Sequence, residues 1–112
     1  MTRDAPQPEA TRGSDNVFAD LGLPDAEELL AKARLASAIS DIIAGRHLTQ
    51  SEAAELLATT QPRISKLMNG RLEGFSLERL ARFLTALDRD VEIVVKRRPR
   101  SRKAGRLLVT LG

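Results

Sequence analysis

A chain of 112 residues, 42% hydrophobic and with a net charge of +3, supports one small domain with a tail at either end. The absence of cysteine excludes a disulfide framework and a thiolate metal site. With three phenylalanines and neither Trp nor Tyr, the chain is poorly equipped to stack single-stranded bases, whereas duplex DNA asks only for basic groups and a helix that fits the major groove.

The charge is unevenly placed. The first thirty residues carry Asp4, Glu9, Asp15, Asp20, Asp25, Glu27 and Glu28 against only Arg3 and Arg12, while the end reads "VVKRRPRSRKAGR". An acidic head and a basic tail point to different partners for the two ends, or to two solubilising segments. No run approaches the roughly 18 apolar residues of a membrane span, and the polar start "MTRDAPQPEATRGSDN" has no secretory apolar core. A cytoplasmic protein is therefore expected.

In chain order, residues 1 to 23 read as a flexible extension that ends in the short apolar patch "NVFADLGL". A long first helix follows in "PDAEELLAKARLASAISDIIAGR". Asp25 and Glu28 form a box-like start, Leu35, Ile39 and Ile42 a stripe widened by Ala36 and Ile43, and Gly45-Arg46 the close. Thr49 and Glu52 begin a second, short helix. A third runs through "TTQPRISKLMNG" to a left-handed cap at Asn69-Gly70. Ser76 caps a fourth, with Phe75 stapled onto Leu80 and Leu77, Leu80, Ala81, Leu84 and Leu87 at helical spacing. Residues 91 to 97 change period, with Val91, Ile93 and Val95 alternating as in a strand, and a basic tail fills 98 to 112. One strand cannot form a sheet alone. It pairs either with its copy in a homodimer or with "RLLVTLG" in its own chain.

The expected fold is all-α, a helix-turn-helix domain over residues 24 to 90 with four to five helices and a short C-terminal β-strand for dimerisation. Two short helices a few residues apart must cross closely, which asks for a small residue such as Ala54. The second needs inner anchors, here Ile64 and Leu67, and an outer face of donors and acceptors, here Gln61, Arg63, Ser65, Lys66 and Asn69. Pro62 falls in the first turn, where a missing N–H forfeits no helical bond.

"LTQSEAAELLATTQPRISKLMNGR" resembles the helix-turn-helix of the phage-repressor-like (Xre/Cro) superfamily, whose pattern reads roughly L-T-Q-x-x-A-A-x-x-L-G-x-S/T-Q-x-x-I-S-x-x-x-x-G. The long first helix, "GFSLERLARFLTALDRDVEIVV" and the acidic-apolar extension look most like the HigA-type antitoxins. The resemblance implies a phage-repressor-like fold and a repressor that binds a double-stranded operator as a homodimer and pairs with a small ribonuclease toxin. It places Gln50 against the DNA backbone, Gln61 and Lys66 at base edges with Pro62 beside them, and Arg63, Ser65 and Arg71 at phosphates. With Thr60 and Asn69 these make the expected DNA-binding set. Val17, Phe18, Leu21 and Leu23 are the implied toxin-binding residues, and Val91, Ile93 and Val95 the dimerisation residues. Ala58 departs from the pattern, standing where the family has glycine. If that position needs positive φ, alanine costs about 1 kcal/mol.

A stand-alone regulator without a toxin, and a protein–protein adaptor that uses the fold as a scaffold, are the alternatives. The lone His47 lies in a loop, no residues have metal-ligand spacing, and no nucleophile has a base nearby, so neither an enzyme nor a cofactor is expected.

Overall fold

The computed structural model describes residues 26–112. The extension expected over residues 1 to 23, with Val17, Phe18, Leu21 and Leu23, lies outside the described residues, as does Asp25. The first described helix, α1 (Ala26–Gly45), has Glu27 and Glu28 in its first turn, where the helix dipole favours acids. Ala31, Leu35, Ile39 and Ile43 recur every fourth residue and are buried together with Ala36. Ile42 is half-buried, so the buried stripe runs through Ile43 rather than Ile42.

Helix α2 (Gln50–Leu56) opens with a complete capping box. The Glu52 N–H donates to Thr49 Oγ1 at 3.0 Å, and the Thr49 N–H donates to Glu52 Oε1 at 2.8 Å. Helix α3 (Gln61–Met68) starts from Thr60, whose hydroxyl accepts from the Arg63 N–H at 3.4 Å. Helix α4 (Leu77–Ala86) starts from Ser76, which accepts from the Arg79 N–H at 3.0 Å. Phe75 and Leu80 bracket that start, both buried, as a staple requires.

All four described helices end the same way. In each, the residue after the C-cap takes a left-handed conformation and its N–H returns to the second-last carbonyl, while the next N–H reaches one residue further back. The left-handed residues are His47 at φ 57°, Ala58 at 56°, Gly70 at 77° and Asp88 at 66°. Their following N–H groups bond as Leu48 to Ile43 at 3.1 Å, Thr59 to Ala54 at 2.9 Å, Arg71 to Lys66 at 2.9 Å and Arg89 to Leu84 at 3.0 Å. The expected cap at Asn69-Gly70 is present. The close of α1 falls two residues later than Gly45, which belongs to the helix itself.

Two compact units divide the chain. One comprises residues 32–93 with 111–112, and its core is built on the fully buried Ile39, Ile43, Ile64, Leu67, Leu80 and Leu87. Within it Arg46 reaches the end of α4, donating from Nη2 to the Leu87 carbonyl at 2.7 Å and meeting Asp88 Oδ2 at 3.4 Å. The described part of the other unit is residues 26–31 with 94–110. In it the Leu107 N–H donates to Glu27 Oε1 at 3.0 Å, and the Arg102 N–H closes a turn on the Pro99 carbonyl at 3.1 Å.

The expected short β-strand is not seen among the described residues. Val91, Ile93 and Val95 alternate in sequence, yet the segment carries no strand, and Ile93 and Val95 are 89% and 92% exposed. The physical reason is that a strand is completed by its neighbour's hydrogen bonds, and no described segment of this chain supplies that ladder. Among the described residues no helix is long and apolar enough to cross a membrane.

Candidate nucleic-acid interface

Helices α2 and α3 pack on each other through small and branched residues. Ala53 and Ala54 on α2 are buried, and alanine leaves room for close approach of the helix that carries Ile64 and Leu67. Between them Leu57, Ala58 and Thr59 reverse the chain, with Ala58 exposed and left-handed. The turn therefore has the positive φ for which glycine is the unstrained choice, met here by alanine.

With Ile64 and Leu67 anchored, the remaining positions of α3 turn outward. Gln61, Pro62, Lys66 and Asn69 are exposed, as are Thr60 before the helix and Arg71 after its cap. Ser65 and Gln50 are half-buried. Gln61, Ser65 and Asn69 stand four residues apart on one ridge, with Pro62 and Lys66 on the next. The Asn69 amide donates to Ser65 Oγ at 3.5 Å, which links two members of the ridge. Pro62 is the second helical residue, so its missing N–H removes nothing from the helix ladder. The result is a convex polar ridge on a rigid support, the shape and chemistry that enter a major groove.

Arg63 stands apart from that ridge. It is half-buried, its guanidinium carbon lies 4.5 Å from the centroid of Phe75, and Nη2 donates to the Gly74 carbonyl at 3.2 Å. Its Nε is buried with no protein partner. Phe75 in turn meets Phe83 edge-on, with centroids 6.3 Å apart and rings inclined at 72°. The first turn of α3 is thus tied through Arg63 and Phe75 to α4. The loop cooperates, since Gly74 at φ 85° occupies the third place of the turn that the Phe75 N–H closes on Leu72.

Sequence reasoning placed Phe75 as a staple and Arg63 as an outward group, and missed the stack between them. Eleven residues, including an irregular loop, separate the two, and no periodicity spans them. The available signal was compositional, because a chain with three aromatic residues that puts one just before a helix gives a nearby arginine a face to cover.

By fold and by site this is a helix-turn-helix domain whose second helix presents its polar ridge to solvent. A family model described as "Helix-turn-helix domain" matches residues 17–96. A solved structure described as an XRE family transcriptional regulator is similar at 50% sequence identity and a TM-score of 0.74. The similarity covers 80% of this chain and all of that one. The chain belongs to the Xre-type helix-turn-helix family. No curated protein matches it.

Proposed function

We propose that the chain is a sequence-specific, DNA-binding transcriptional regulator that inserts α3 into the major groove. The observation that carries this reading is the exposed ridge of Gln61, Pro62, Lys66 and Asn69 on a helix locked from behind by Ile64 and Leu67. The solved relative described as a transcriptional regulator supports it. In this proposal Gln61 pairs with adenine and Lys66 with guanine, at about 1–3 kcal/mol for a good pair, and Pro62 offers an apolar surface to a thymine methyl. Thr60, Ser65, Asn69, Arg71 and, from the start of α2, Gln50 contact the backbone. Arg63 keeps N–H groups beyond the one given to Gly74, so a phosphate contact and a positioning role are compatible.

The same reading extends to a homodimer on a palindromic operator with half-sites about 34 Å apart. The exposure of Ile93 and Val95 favours it, since an apolar segment without a ladder is suited to pairing with its own copy. Through the resemblance to HigA-type antitoxins it extends further, to a repressor that acts on its own toxin–antitoxin operon and neutralises a ribonuclease toxin with Val17, Phe18, Leu21 and Leu23. Selection of duplexes from a random pool tests the central claim. A consensus with two-fold symmetry is the expected result, and failure to enrich any sequence refutes it.

A further inference from the structure

The seven Lys and Arg residues between 96 and 106 exceed the whole chain's net charge of +3, so everything outside that segment is net acidic. No acidic residue lies after Glu92. The segment is also folded back on itself. The Arg98 guanidinium donates to the carbonyls of Pro99 and Arg102, and the Arg102 N–H bonds to Pro99. Arg98 is thereby occupied in holding the turn, and Arg102 is half-buried with Nη1 lacking any protein partner. Lys96, Arg97, Arg100, Lys103 and Arg106 remain exposed, with no carboxylate paired to any of them among the described residues.

Five cations within eleven residues, without a carboxylate partner among the described residues, repel one another. A polyanion relieves that repulsion and releases its own condensed counterions. The segment contains no aromatic residue for base stacking, which disfavours a single strand. Arginine and lysine both bind phosphate, and charge spread over eleven residues suits an array of phosphates rather than one carboxylate partner. We propose that residues 96–106 form a second, sequence-independent anchor on the phosphate backbone of duplex DNA, separate from the helix-turn-helix. This inference rests on the DNA-binding reading above and assigns a division of roles, in which α3 chooses the sequence and the basic turn supplies grip.

The test combines Arg97→Gln, Arg100→Gln, Lys103→Gln and Arg106→Gln in the full chain, leaving Arg98 and Arg102 to hold the turn. Binding to a random duplex of about 30 base pairs is measured against salt, and each lost phosphate contact should flatten the logarithmic slope by about 0.9. The expected result is a slope shallower by about 2–4, with affinity at 0.1 M salt lower on the order of 100-fold, and an unchanged consensus from the random pool. An unchanged slope overturns the proposal. So does an unchanged slope accompanied by loss of binding to phosphatidylserine vesicles, which would assign the turn to a membrane surface. A parent chain that enriches no consensus, yet whose slope falls in the variant, refutes the recognition role of α3 and leaves the anchor standing.

Discussion

Ala58 lies in the turn between α2 and α3 at φ 56°, and replacing it with glycine isolates the cost of that conformation. A left-handed backbone costs a non-glycine residue about 1–2 kcal/mol through the clash of Cβ with the carbonyl. Glycine returns about 0.5–1 kcal/mol of this as extra entropy in the unfolded chain. Ala58 is exposed, so loss of its methyl group forfeits no core packing. The net expectation is stabilisation by about 0.5–1 kcal/mol, or a melting temperature higher by about 2–8 °C for a domain of this size. Urea unfolding followed by circular dichroism should show a higher midpoint at constant slope. Gly70→Ala supplies the reverse control. It sits at φ 77° with no atom within 4 Å of the added Cβ, so its cost is conformational alone. If Ala58→Gly leaves the midpoint unchanged or lowers it while Gly70→Ala destabilises, the strain assigned to Ala58 is not there.

Gln61→Ala and Lys66→Ala should each relax base preference at one operator position by about 1–3 kcal/mol and leave thermal stability untouched. Footprints identical to the parent's would move recognition off α3. Arg63→Ala should lower stability by about 1–3 kcal/mol, because it removes a cation–aromatic stack and a charged hydrogen bond, and Arg63→Lys should restore only part of this. A normal urea midpoint for the alanine variant would show that the contacts to Phe75 and Gly74 contribute little. Ile93→Pro should shift the chain to monomers in light scattering, and persistent dimers would place the interface elsewhere. Removal of residues 1 to 23 should abolish capture of a co-expressed ribonuclease toxin while operator binding persists, and a truncated chain that still captures the toxin sinks the assignment of Val17, Phe18, Leu21 and Leu23.

The sequence was most legible where structure is decided within a few residues. Thr49 with Glu52, Ser76, and Asn69 with Gly70 mark helix ends because the bonds they make close within one turn. The outward set on α3 was legible for a related reason, since fixing Ile64 and Leu67 inward leaves the rest no other direction. Two kinds of feature were hidden. His47 and Asp88 take left-handed caps without being glycine, so the usual marker is missing and the C-cap geometry imposes the conformation. The contacts of Arg46 with the end of α4, and of Arg63 with Phe75, join residues far apart in the chain, which no local pattern encodes. The strand was misread for a third reason. Alternation at residues 91 to 95 reports that one face is apolar, and it carries no information about a neighbour to bond with.

The Arg46 clasp also ties the end of α1 to the end of α4. By gripping the Leu87 carbonyl, Arg46 brings together two points 41 residues apart, with α2, α3 and α4 between them. The intervening chain is a loop closed by one side chain, and the clasp starts at the C-terminal end of α1, whose Ile39 and Ile43 are fully buried in the same core. A fragment that begins after α1 would lose those two side chains and the helix that carries the clasp, so a minimal unit carrying the α3 ridge must keep α1 as well as α4.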